Sequence, residues 1–219
     1  GRTGYGKSTT LAWWANKFDA VYVRALELWS PSAMLSAICD ELGVRRYAAN
    51  AETMKLIAET LSRTGRPLII DEADYVIDQK KLLNTLRDLH DISGSPLVMV
   101  GMADFLKKLI SRPDQQQFVG RVSQWVEFLP ADLDDVTVLA RELCEVDVAP
   151  DLLARLHSDA KGSIRLTVVG LDQIEKFARA RGLKKVTAAE AKGLALNLQQ
   201  TQGMADRLRI AALAASEAI

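Results

Sequence analysis

The chain opens on Gly1-Arg2-Thr3-Gly4-Tyr5-Gly6-Lys7-Ser8, a full match to the pattern G-x-x-x-x-G-K-[S/T]. No other stretch restricts the fold as much. Backbone N–H groups close on phosphate oxygens only where glycines leave room, a lysine must reach the β- and γ-phosphates, and a hydroxyl must face a divalent cation. Such a loop needs a helix behind it whose N-terminus points at the anion. Residues 7–17, rich in helix formers such as Leu11, Ala12 and Ala15, supply one. It also needs a buried strand ahead of it. Gly1 begins the sequence, so the first core strand of the fold is expected upstream of it. The loop predicts an ATP site lined by Gly1, Arg2, Thr3, Gly4, Tyr5, Gly6, Lys7, Ser8 and Thr9, with Ser8 on Mg2+.

Strands and helices then alternate, the pattern of a parallel sheet with helical crossovers. Val21-Tyr22-Val23 reads as a strand, residues 31–42 as a helix opened by Ser30 and closed near Gly43, and residues 52–62 as an amphipathic helix. Pro67-Leu68-Ile69-Ile70-Asp71 is an apolar run ending in a carboxylate, the form of a strand buried on both faces whose tip reaches a site. Asp71 at that tip suits the magnesium shell, and Glu72 beside it suits polarisation of an attacking water, so the pair predicts hydrolysis and not binding alone. Asp74, just beyond, reads as a surface or supporting residue. A helix follows over 80–91, a second buried strand over 96–101, a helix near 105–110 and a short strand at Trp125-Val126-Glu127-Phe128 ended by Pro130. After that the strand signals stop, and helices are expected at 132–146, 150–160, 163–181 and 187–199. The predicted division is a nucleotide-binding α/β core over 1–130, an all-helical lid over 131–200 and a C-terminal tail over 201–219.

Two arginines are placed to act. Arg121 lies between the helix after the second buried strand and the final strand, with Arg112 as its alternative, and Arg165 stands one turn into the longest helix of the lid. Composition limits the rest. Lys plus Arg and Asp plus Glu each number 28, so bulk charge draws the chain neither to nucleic acid nor to membrane, and any such contact must be local. The basic clusters that could touch double-stranded DNA are Arg45 and Arg46, Lys80 and Lys81, Lys107 and Lys108, and Arg179, Arg181, Lys184 and Lys185. Cys39 and Cys144 sit in apolar helical stretches, as buried thiols in a reducing compartment do. His90 and His157 have no ligand-spaced partners, which argues against a structural zinc. With no leader and no apolar run near the roughly 20 residues of a membrane span, the expected location is the cytoplasm, with no membrane partner.

These motifs in this order resemble the AAA+ ATPases over about residues 1–182. The wording Leu86-Arg87-Asp88-Leu89-His90-Asp91, then Pro96-Leu97-Val98-Met99-Val100-Gly101-Met102, is similar to one branch, the phage Mu transposition protein B and TnsC-like family of DNA transposition target-selection proteins. The resemblance implies an α/β P-loop NTPase (AAA+) core on a parallel sheet with a C-terminal all-helical lid. It implies a bacterial or phage-encoded ATPase that assembles on DNA as a homo-oligomer or helical filament, selects a target and activates a transposase. Within it Lys7 and Ser8 match the Walker A lysine and hydroxyl, and Asp71 and Glu72 the Walker B pair. Arg121 matches the arginine finger, and Arg165 the sensor 2 arginine. One departure stands out: where many relatives place Asn, Thr or Ser at the end of the second buried strand, this chain has Gly101-Met102, and slow hydrolysis is expected. Two other trades would share the same site residues: a replication initiator or helicase loader, and a STAND-type nucleotide switch that works without DNA.

Overall fold

The computed structural model describes residues 1–197. The expected tail over 201–219 lies outside the described residues. Two compact units emerge, the first formed by Gly1–Arg2 and Lys7–Phe128, the second by Thr3–Gly6 and the described chain from Leu129 to Asn197.

The first unit runs α1 (Lys7–Phe18), β1 (Val21–Arg24), α2 (Pro31–Leu42), α3 (Asn50–Thr64), β2 (Leu68–Asp71), α4 (Asp74–Ile77), α5 (Lys80–Ser93), β3 (Leu97–Met99), α6 (Phe105–Ile110), a 3-10 turn at Pro113–Gln115 and α7 (Gln116–Val119). The strands make one parallel sheet in the order β1-β2-β3, with Val21 opposite Leu68 and Leu68 opposite Leu97. Parallel neighbours need long crossovers, and α2 with α3, then α4 with α5, provide them. Local signals fix the helix ends: Ser30 accepts the Ala33 N–H at 3.2 Å, Pro31 fills the first position of α2, and Gly43 closes it.

Period-two alternation separates two faces of the sheet. Val21, Val23, Leu68 and Ile70 pack with Met34, Leu35, Ile38 and Cys39 of α2, Ile57 and Leu61 of α3, and Leu82, Leu86 and Leu89 of α5. Truncating any of the fully buried Leu or Ile residues in that layer to Ala costs about 2–5 kcal/mol. On the other face Ile69 meets Leu11 and Ala15 of α1, while Trp14, Tyr22, Val98 and Val100 are only half-buried. β2 is buried throughout.

The strand expected at 125–128 does not form: residues 123–131 are irregular, with Trp125 45% and Val126 70% exposed. A strand exists only against a partner ladder, and among the described residues this segment pairs with no strand of either sheet. The Trp125 ring instead stacks on Phe105 with centroids 6.4 Å apart, and Phe128 lies against Gly1.

The second unit holds α8 (Leu133–Leu143), β4 (Asp147–Val148), α9 (Pro150–Ala160), α10 (Ile164–Arg181) and β5 (Lys185–Val186). A reciprocal capping box between Asp132 and Asp135 starts α8. Val136, Leu152, Leu156, Leu171 and Ile174 form a core of their own. One feature was not expected, a minimal parallel ladder between β4 and β5 in a unit otherwise helical. The helix predicted over 187–199 is absent through residue 197. Thr187 and Glu190 cap a single turn, after which Arg155 takes the carbonyls of Ala191 and Leu194 at 2.9 and 2.7 Å, oxygens that a continuing helix would have used itself. Both histidines serve structure, His90 Nδ1 lying 2.8 Å from the Ser95 carbonyl and His157 Nε2 3.1 Å from that of Ala131.

Candidate nucleotide site

The loop before α1 turns on its glycines. Gly4 sits at φ +86, a left-handed value that a side chain resists, and a Cβ there would lie 2.5 Å from Ser163 Oγ. The Gly4 carbonyl accepts the Arg165 N–H at 3.2 Å. Lys7, the first residue of α1, folds its ammonium back over the loop and donates to the carbonyls of Gly1 and Arg2 at 2.8 and 2.9 Å. A cation that satisfies itself on exposed or half-buried backbone oxygens is available to a stronger anionic acceptor. Arg2, Thr3, Ser8 and Thr9 are exposed, and Gly1, Gly4, Tyr5, Gly6 and Lys7 half-buried.

Asp71 ends β2 on the same face as Ile69 and is 2% exposed. Both its oxygens are engaged: Oδ1 accepts the Glu72 N–H at 2.8 Å and Oδ2 the Tyr22 hydroxyl at 2.6 Å. Burial first, then the hydrogen bond to Asp71, push the Tyr22 phenol well above its usual range, while the Ser8 side chain near the same phenol pulls the other way. The two residues expected at the metal thus both act on the Tyr22 phenol, Asp71 through a direct hydrogen bond. Glu72 departs from the ladder with φ +53, a left-handed backbone uncommon outside glycine, and its carboxylate lies 3.5 Å from the Arg24 guanidinium. Because Arg24 is in register with Asp71, β1 presents Tyr22 and Arg24 to successive acids of the β2 tip.

A divalent cation fits this donor set. Among the described residues no three His, Cys, Asp or Glu side chains gather at one point, so a cation held by Ser8 and Asp71 would need its other ligands from phosphate and water. That is the coordination magnesium favours.

The outlying arginines are held. Arg121 meets Asp91 of α5 in a bidentate pair, Nε to Oδ1 at 2.7 Å and Nη2 to Oδ2 at 2.8 Å, and also donates to the Gln117 carbonyl. The hydrogen bond to Asp91 raises the Arg121 pKa and depresses that of Asp91. Arg112 pairs with Asp78 and donates to the Ile77 carbonyl at 3.2 Å. The Arg165 side chain is exposed.

The basic clusters fall in both units. Arg46 is built into the first, donating to Ser32 Oγ at 2.6 Å and to Asn50 Oδ1 at 2.9 Å, while Arg45, Lys80, Lys81 and Lys107 are exposed and Lys108 pairs with Asp104 at 3.0 Å. In the second, Arg179 lies 3.6 Å from both Glu145 and Glu175, Lys185 3.1 Å from Asp147, and Arg181 over the Phe177 ring, with Lys184 exposed.

Sequence reasoning missed Tyr22 and Arg24. The only trace either leaves is a polar residue at alternate positions of a short aliphatic strand. Their partners are set by β1–β2 register, which the sequence does not state.

Residues 1–109 match the family described as AAA domain. Among solved structures, the Aeropyrum pernix Orc1 protein in complex with DNA is similar at 21% identity and a TM-score of 0.59, over 89% of this chain and 57% of that one. This chain therefore spans little more than half of that protein's length. The Thermotoga maritima RuvB Holliday junction branch migration motor is similar at 17% identity and a TM-score of 0.47, over 87% of this chain and 67% of that one. No curated protein sequence matches. At these identities the Orc1 likeness speaks to the fold, a parallel-sheet α/β arrangement with substantial helix.

Proposed function

We propose that the protein, whose residues 1–109 match the AAA domain family and whose parallel-sheet fold matches that of the P-loop AAA+ ATPases, hydrolyses ATP with magnesium, assembles on double-stranded DNA, and there selects the target of a transposase and activates it. The observation that carries the hydrolytic part is the buried Asp71 at the tip of β2, held by the Tyr22 hydroxyl at 2.6 Å, with Glu72 next to it in the chain.

Lys7 leaves the Gly1 and Arg2 carbonyls and donates to the β- and γ-phosphates, and the N–H groups of Thr3–Gly6 and of the first turn of α1 receive the phosphate oxygens. Ser8 and Asp71 would hold magnesium, which would supply neutralisation of the phosphate charge. Glu72, once parted from Arg24, accepts hydrogen bonds from the attacking water and polarises it. Arg121 exchanges Asp91 for the γ-phosphate of a neighbouring subunit and stabilises charge in the transition state. Arg165 turns its exposed guanidinium onto the phosphates of its own loop.

The DNA and transposition parts draw their support from the resemblance of residues 86–91 and 96–102 to the target-selection branch. The Orc1 structure, solved with DNA, is an example of this fold on such a ligand. The test is ATP turnover with and without duplex DNA and with magnesium chelated, beside electron microscopy of protein, DNA and a slowly hydrolysed ATP analogue. Magnesium-dependent turnover raised by DNA and an ordered assembly along the duplex are expected. Turnover indifferent to DNA with no DNA-bound assembly would favour the nucleotide switch, and DNA assembly that fails to stimulate any transposase would favour an initiator or loader.

A further inference from the structure

Beyond Asp71 and Glu72 the acidic turn holds a third carboxylate whose surroundings are unlike those of a surface residue. Asp74 is the first residue of α4, yet its side chain does not cap that helix. It crosses to the turn after β3, where Oδ2 accepts the Met102 N–H at 2.8 Å. The other oxygen, Oδ1, is buried without a hydrogen-bond partner. Desolvating a carboxylate oxygen is unfavourable, so a residue left in that state is one whose other contacts hold it there.

Those contacts sit beside the strained residue of the site. The β2–β3 ladder runs on past the strands through Val100 N–H to Ile70 O at 2.9 Å and Ala73 N–H to Val100 O at 2.8 Å, skipping Glu72. Glu72 is thus extruded from the ladder at φ +53, with Ala73 fully buried behind it. A left-handed non-glycine backbone persists only when its surroundings over-determine it. The tie from Ala73 fixes one side of the extruded residue, and the tie from Asp74 to Met102 is the next one along. Gly101 completes the fit: a Cβ at that position would lie 2.8 Å from Asp74 Oδ2 and 2.5 Å from the Phe105 ring. The space a side chain at 101 would take is filled by the Asp74 carboxylate.

We propose that Asp74 is a positioning residue for Glu72, locking the turn after β2 onto the turn after β3, and that Gly101 is glycine to admit its carboxylate. In this role Asp74 acts through the backbone from which Glu72 reaches nucleotide and water. The proposal rests on the hydrolytic reading above for its effect on turnover, and on the structure alone for its effect on the Met102 amide.

The experiment follows both in the full chain, for the parent, Asp74→Ala, Asp74→Asn and Gly101→Ala. Amide hydrogen exchange at Met102 is measured without nucleotide, ATP affinity by equilibrium binding, and turnover on DNA. Asp74→Ala should lose protection at Met102 and about 10²-fold in kcat, the scale of a misplaced catalytic group, while ATP affinity holds. Asp74→Asn keeps an oxygen to accept the Met102 N–H and should restore both readouts. Gly101→Ala should expel the carboxylate and reproduce Asp74→Ala. Unchanged Met102 protection in Asp74→Ala overturns the proposal. So does an Asp74→Asn as damaged as Asp74→Ala, or a loss of kcat matched by equal losses of ATP affinity and thermal stability. A parent protein without turnover would sink the hydrolytic reading, and the exchange measurement would still decide whether Asp74 locks the two turns.

Discussion

At the tip of β2, Asp71 is 2% exposed and both its oxygens are filled from within the same unit. On the second unit, Arg179 stands in water between Glu145 and Glu175, 3.6 Å from each, and Lys185 does the same beside Asp147. The first arrangement places charge where water cannot reorganise to replace a lost partner, so each group there depends on the next. The second uses water as the main partner and gains little from the carboxylates, at most about 1 kcal/mol for an exposed pair. One region should respond to single-atom changes and the other should tolerate the loss of whole side chains.

The sharpest way to break that contrast is Lys7→Ala, which removes the cation and leaves the loop backbone. Charge-assisted hydrogen bonds at about 1.5–3 kcal/mol each imply a fall in ATP affinity of about 10²-fold or more, with turnover abolished. Binding of a fluorescent ATP analogue measures it, and unchanged affinity would remove the loop from the site.

Arg121 tests whether a surface ion pair conceals a catalytic role. Arg121→Ala should bind ATP normally yet lose about 10³-fold in turnover on DNA. Mixing it with Lys7→Ala should restore activity, since one offers an intact pocket and the other an intact arginine. A flat rate across mixing ratios, with mixed assembly verified, would leave Arg121 as nothing more than the partner of Asp91.

Glu72→Gln keeps the shape of the β2 tip and removes the charge. Turnover should drop by about 10²-fold at the least while nucleotide binding survives, and a rate near the parent's would mean that water is activated elsewhere.

Tyr22→Phe deletes one oxygen from the buried region. Losing the 2.6 Å bond should cost about 1 kcal/mol in thermal unfolding and change Mn2+ affinity in the presence of ADP, read by electron paramagnetic resonance. Identical affinity would mean that Tyr22 does not orient Asp71. At the far end, Arg179→Ala should move unfolding by no more than about 0.5 kcal/mol, and a larger shift would erase the contrast.

The parts of the molecule legible in the sequence are those with a local cause. The bounds of α2 were readable from Ser30, Pro31 and Gly43, and β2 from an aliphatic run that ends in Asp71, because caps and burial patterns are written in neighbouring residues. What escaped depends on residues far apart. The helix expected over 187–199 gives way to Arg155, a residue of α9, and the strand expected at 125–128 carries strand-like residues but pairs with no strand of the described sheets. In the site, Lys7, Ser8, Asp71 and Glu72 follow from motif chemistry. Tyr22, Arg24 and the reach of Asp74 to Met102 follow from register and from the space above Gly101.

The cysteines are divided one to each unit. Cys39 is fully buried under the sheet and Cys144 is half-buried against the core of the second unit, and burial raises the pKa of both thiols. A protonated, enclosed thiol reacts with an alkylating reagent only when its surroundings open. The native chain therefore carries two internal clocks. The labelling rate of Cys39 times the opening of the first unit, that of Cys144 times the opening of the second, and neither needs an added probe. Nucleotide that slows only the first clock would show that its binding energy is spent within one unit, and a common slowing would show that the two open as one.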